Sequence, residues 1–262
     1  MTEGIAVTRP SRIPYGDHRE QFGDLWMPDD DGRPLPVVVL VHGGFWRQQY
    51  ALDLMDGLAE SSVDRGYAVW NIEYRRVGGA GGYPQTLDDV SAAVDHLATL
   101  GDDRLDLGRV AIVGHSAGGH LAVWAASRGS LPAGGSWAAP VVQPMVAVSL
   151  AGVLDLVAAA ESGVGGSACP DLLGGAPDAE PHRYALASPI ALLPCGILVV
   201  GVHGTRDDIV PTEQSERYVR AAKAAGDPAE LAVIEGADHF DVIDATNAAW
   251  TAVLDRLVLA FG

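Results

Sequence analysis

A chain of 262 residues that is 48% hydrophobic, with 34 acidic against 17 basic side chains, has ample material for a globular core, and its net charge of −17 disfavours nucleic acid and anionic membranes as partners. The acidity reads mainly as a solubility device. Two cysteines, Cys169 and Cys195, lack metal-ligand spacing and point to free thiols in a reducing, cytoplasmic setting, with no metal and no cofactor expected.

The predicted elements alternate along the chain. Residues 1–19 carry prolines and charges without an apolar centre, so no signal peptide is expected there. Residues 23–27 read as an antiparallel edge strand ahead of a parallel set. Residues 36–41 (Pro-Val-Val-Val-Leu-Val) are a continuous apolar run, the mark of a strand buried on both faces. It runs into His42-Gly43-Gly44-Phe45-Trp46. A second strand, 67–72, precedes Glu73-Tyr74-Arg75-Arg76, whose charges are expected to pair and hold loops. Over 84–100, Leu87, Val90, Val94 and Leu97 recur at three- and four-residue spacing, which predicts a helix with one buried stripe. A strand at 110–113 meets Gly114-His115-Ser116-Ala117-Gly118 and then a helical pattern over 117–127.

Further strands are predicted at 145–150, 196–202 and 231–234, and helices at 212–225 and 241–261. Between them, residues 153–194 are rich in Gly, Ala and Pro and read as a small cap with short helices. Strand–helix alternation predicts an α/β fold, a mostly parallel sheet flanked by helices on both faces. Neither a repeat nor a linker interrupts it, so a single domain over 1–262 with a cap insertion at 153–194 is expected.

The most telling stretch is G-x-S-x-G between a strand and a helix. A serine on that turn is held in a strained conformation with its hydroxyl above the sheet edge, which makes Ser116 a candidate nucleophile. A serine hydroxyl needs a histidine to take its proton and a carboxylate to orient that histidine. Both follow in the chain, each after a strand: Asp207 in the loop after 196–202, with Asp208 as the alternative acid, and His239 in the loop after 231–234. Two backbone N–H groups must face the developing oxyanion, worth roughly 3–4 kcal/mol each. Ala117 supplies one candidate, and Gly43 and Gly44 share the other. Phe45, Trp46 and His115 are candidates to line the substrate pocket, Phe45 and Trp46 equally to pack the loop. His42 is expected to brace that loop, and His96, His120 and His203 to serve structure.

Together these segments resemble the α/β-hydrolase superfamily, and within it the kynurenine-formamidase-like and carboxylesterase-like serine hydrolases, relatives of the prolyl oligopeptidase catalytic domain. The resemblance runs from about Tyr15 to the C-terminus and takes in Leu172-Leu173-Gly174-Gly175 and Ala187-Ser188-Pro189 of the cap. It implies an α/β-hydrolase fold and hydrolysis of a small carboxylic ester or aryl formamide through an acyl-enzyme. Phe45 stands where hormone-sensitive-lipase-type esterases carry a third glycine, which argues for a short acyl group. An acyltransferase or cyclising hydrolase using the same triad is the alternative, and a non-catalytic ligand-binding member of the fold is disfavoured by the presence of all three residues. The partner expected is a small ester or amide, and a homodimer is left open.

Overall fold

A computed structural model describes residues 10–29 and 32–262. Its centre is an eight-stranded sheet with the strand order β1-β2-β4-β3-β5-β6-β7-β8. In chain order the strands are β1 (Ser11–Pro14), β2 (Phe22–Trp26), β3 (Leu35–Val41), β4 (Ala68–Ile72), β5 (Leu105–His115), β6 (Val146–Leu150), β7 (Leu198–Gly204) and β8 (Ala229–Ile234). β1 and β2 run antiparallel to their neighbours, and β3 to β8 form the parallel body.

The apolar runs are double-faced for a visible reason. Val37, Val39 and Val41 of β3 pack into one core with Trp70 and Ile72 of β4 and Ile112 of β5. Val38 and Leu40 enter the opposite core with Val69, Ala111 and Val113. Side chains alternate along a strand, so a sheet covered on both faces needs apolar residues at every position. The first core is closed by α2 (Gln85–His96), α3 (Ala117–Ala126) and α7 (Glu213–Ala225). It is completed by three short helices between β6 and β7: α4 (Leu156–Ser162), α5 (Ala168–Leu173) and α6 (Pro181–Ala187). The second core is closed by α1 (Asp56–Val63) and α8 (Ala248–Phe261).

Two expectations are corrected, and one element is added. Residues 23–27 do form an antiparallel strand, β2, but the edge belongs to β1, whose four mostly exposed residues carry no alternation to read. The Arg12 guanidinium ties β1 to Asp24 of β2 at 2.8 Å. α1, over residues for which no element is predicted from the sequence, contains Gly57 and two serines, poor helix formers; it is helical because Leu58, Ala59 and Val63 bury against the sheet. The helix expected over 241–261 is broken: a 3-10 turn (Asp241–Ile243) comes first, and α8 begins after Asn247, whose side chain accepts from Ala249 N–H at 3.0 Å. Among the described residues no helix is long and apolar enough to cross a membrane. Cys169 and Cys195 are free thiols.

Register gathers the functional loops. Val41 lies beside Gly114, His115 beside Leu150, Leu150 beside Val202, and Gly204 beside Ile234. The C-terminal ends of the parallel strands are thus level, and the loops that follow open on one side of the sheet, where open α/β sheets bind ligands.

Candidate active site

Ser116 sits between β5 and α3 with φ 55° and ψ −119°, a conformation that costs about 1–3 kcal/mol for a residue with a Cβ. Its surroundings hold it there. Ser116 N–H donates to Leu150 O at 2.8 Å, and Ser116 O accepts from His120 N–H at 3.1 Å. The two flanking glycines are steric necessities. A Cβ on Gly114 would lie 2.0 Å from Gly118 O, and one on Gly118 would lie 2.1 Å from Val41 O. The turn is tight because β5 and α3 touch across it.

His239 follows β8 and is buried, with Nδ1 2.7 Å from Asp207 Oδ2. The Asp207 side chain is wholly buried, whereas Asp208 is exposed. Four donors surround the Asp207 carboxylate. Oδ1 accepts from Ile209 N–H at 2.9 Å and Val210 N–H at 2.8 Å; Oδ2 faces His239 Nδ1 and, at 3.3 Å, His203 Nε2. Burial alone would raise the pKa of this carboxyl, but the hydrogen bonds from His203, His239 and Val210 outweigh it and hold the group well below the usual carboxylate range. His203 is itself fixed, accepting from Ser215 Oγ at 2.8 Å while its Nε2–H also reaches Val210 O at 2.9 Å. Its sequence reading as a structural residue understated its place beside the acid.

The loop after β3 is built on a buried ionic network. His42 Nδ1 lies 2.8 Å from Gly43 O and Nε2 lies 2.9 Å from Glu73 Oε1. Both ring nitrogens are thus engaged, one by a backbone carbonyl and one by a carboxylate. Glu73 stays ionised: burial pushes its pKa up, but the hydrogen bond with His42, together with Arg76, brings it below the ordinary value. Arg76 Nη1 lies 2.7 Å from Glu73, and its Nη2 3.1 Å from Glu20. Tyr74 stacks on the His42 ring at 4.4 Å and donates its hydroxyl to His42 O. With Gly43 O taken by His42, the trans peptide leaves Gly44 N–H pointing to the other side. Gly43 itself presses on the elbow, where a Cβ would stand 3.0 Å from Ser116 Cβ.

Phe45 and Trp46 both have positive φ, 54° and 57°, so the loop stores strain next to the serine. Trp46 is fully buried and donates Nε1–H to His120 Nδ1 at 3.1 Å. His120 Nε2 in turn donates to Ala187 O at 2.9 Å. Desolvation lowers the His120 pKa to about 4, so the ring is a neutral strut from the loop to the end of α6. Trp46 therefore packs the loop and does not line a pocket. Phe45 is half-buried and leans on the turn between α4 and α5, where a Cβ on Gly165 would meet its ring at 2.4 Å.

His115 does not line an open pocket either. Its ring is buried 4.7 Å from the His239 ring, and Nε2–H donates to His239 O at 2.9 Å. Desolvation, then the nearby His239, lowers its pKa to about 3, so it is neutral. Its buried Nδ1 has no hydrogen-bond partner and faces Gly43, whose Cβ, if present, would lie 2.9 Å away. His115 thus links the elbow, the glycine loop and the backbone of His239. This contact, between residues 124 apart in the chain, left no signal in the sequence. A cavity of about 460 Å³ between α2, the 131–137 loop and α6 is lined by Tyr83, Asp88, Trp137 and His182 and by none of these residues.

Comparison with known proteins agrees with this architecture. The family model described as BD-FAE matches residues 24–221. A probable isoprenylcysteine alpha-carbonyl methylesterase of Oryza sativa subsp. japonica is 32% identical over 249 residues, covering 87% of this chain and 57% of that one. A kynurenine formamidase of Danio rerio is 24% identical over 234 residues, covering 88% of this chain and 75% of that one. The chain spans about half the length of the first of these curated relatives, 57% for the rice methylesterase and 50% for one from Arabidopsis thaliana. A solved structure described as a truncated form of carbohydrate esterase from gut microbiota superposes with a TM-score of 0.82 at 20% identity, covering 98% of both chains.

Proposed function

The chain belongs to the BD-FAE family of α/β-hydrolases, and from that premise we propose that it is a serine esterase in which Ser116, His239 and Asp207 act as nucleophile, base and orienting acid. The observation that carries the reading is the 2.7 Å contact of His239 Nδ1 with the buried Asp207 carboxylate, which directs the Nε2 edge of the ring away from the acid. His239 Nε2 takes the Ser116 proton as Oγ bonds to the acyl carbon, then returns it to the departing alkoxide or amine. Water attacks the acyl-enzyme by the same route and frees Ser116. Ala117 N–H, at the start of α3, and Gly44 N–H are the proposed oxyanion donors. The His42 ring fixes the peptide that carries the second donor, through Gly43 O.

The substrate proposed is a small carboxylic ester or an aryl formamide, and relatives named as methylesterase, esterase and kynurenine formamidase support that class. Short 4-nitrophenyl esters assayed alongside N-formylkynurenine separate the two arms. The wild type should be labelled by a fluorophosphonate, and Ser116→Ala should lose both labelling and turnover while melting close to wild type. Turnover by Ser116→Ala at the wild-type rate would refute the assignment.

A further inference from the structure

Phe240 directly follows His239, and its side chain is 54% exposed, while the other three phenylalanines are buried or half-buried. It belongs to neither hydrophobic core. Its ring partners are two histidines: it meets the His239 ring edge-on, 5.5 Å between centres at 85°, and lies 6.1 Å from the His115 ring. The turn that presents it is pinned at both ends. Asp238 Oδ1 accepts from Phe240 N–H and from Asp241 N–H, each at 2.9 Å, and Asp241 Oδ2 accepts from Asp238 N–H at 2.8 Å. An apolar ring is thus held out to solvent on a turn fixed by two aspartates, directly beside the ring of the proposed base.

Resting on the esterase reading above, we propose that Phe240 is a specificity-determining platform for the leaving group, and that the favoured substrates release a planar aromatic alcohol or amine. His239 must hand its proton to the leaving atom across a hydrogen bond of about 3 Å. A leaving group attached at that point and larger than ethyl reaches a ring whose centre is 5.5 Å from that of the imidazole. An aryl group gains an aromatic contact and buries apolar area there; a methyl or ethyl group gains neither.

The test compares phenyl acetate with ethyl acetate, which share an acyl group, in the wild type, Phe240→Ala and Phe240→Tyr. Dividing each variant by wild type on the same ester cancels the difference in intrinsic reactivity. Phe240→Ala should lower kcat/KM for phenyl acetate about tenfold, chiefly through KM, and leave ethyl acetate within about twofold. Phe240→Tyr should keep wild-type discrimination. Equal losses on both esters, or none on either, would overturn the platform while leaving the esterase reading intact. A wild type inert toward both esters and unlabelled by a fluorophosphonate overturns the esterase reading, and the platform with it.

Discussion

Asp207→Asn isolates what the buried carboxylate does. The wild-type group has four contacts: two backbone N–H groups on Oδ1, and His239 and His203 on Oδ2. An amide offers one oxygen and one NH2. Ile209 and Val210 N–H can only donate, so the oxygen takes the Oδ1 place and the NH2 faces His239. The imidazole must then accept at Nδ1 and carry its proton on Nε2, where it can no longer take one from Ser116. The reversed amide would set its NH2 against both backbone donors, at about 1–3 kcal/mol for each left unpaired, so it holds at most about 3% of the molecules. kcat should therefore fall at least about thirtyfold, and as far as about 10⁴-fold, or about 5.4 kcal/mol, if the reversed amide contributes nothing. The measurement is kcat and KM on 4-nitrophenyl acetate, with Asp208→Asn in parallel and circular dichroism to verify folding. Retention of a third of wild-type kcat by Asp207→Asn, or a larger loss in Asp208→Asn, would refute this account.

His115→Phe keeps an aromatic ring but deletes the N–H that holds His239 O; kcat should drop about 5- to 100-fold at constant KM, with partial recovery in His115→Gln. A change in KM alone would mean that the ring touches substrate instead. Glu73→Ala leaves the buried Arg76 cation and the His42 ring without their shared carboxylate, a loss of about 3–5 kcal/mol and a fall in Tm of about 6–20 °C. Calorimetry showing a shift under about 2 °C would contradict that network's role. The acid limb of stability follows from Glu73 and Asp207, both titrating lower in the folded chain than when unfolded, where carboxyls titrate near about 4. Below that value the unfolded chain binds more protons, so their contribution is complete above about pH 4 and is lost as pH falls through the folded values. Urea midpoints should stay level, as far as these two groups govern them, from pH 7 to about 5 and fall below about 4; a midpoint unchanged at pH 3 would exclude the linkage.

Much of the site was legible because its signals are local. Gly114, Ser116 and Gly118 are readable as an elbow because the pattern is complete within five residues, although the Cβ at Gly114 is excluded by Gly118 O and that at Gly118 by Val41 O of β3. The order of Asp207 and His239, each after an apolar run, was legible because β7 is buried along nearly its whole length and β8, though an edge strand, still carries Leu231, Ala232, Val233 and Ile234 in succession. β1 and α1 were missed because four exposed residues carry no period and weak helix formers are held by packing alone. Trp46 was an even choice between pocket and core for the same reason: its partner, His120, is 74 residues away.

By itself the sequence determined an α/β sheet, a serine on a strained turn, and the loops that could supply an acid, a base and oxyanion donors. Those are properties of periodicity and steric necessity within a few residues. Only the tertiary structure decided that Asp207 and not Asp208 meets His239, that His115 braces the backbone of His239, that His42 meets Gly43 O through Nδ1 and Glu73 through Nε2, and that Phe240 stands exposed beside the His239 ring. Each of these depends on which side chains a level strand register brings face to face, and register is set by the packing of both cores together.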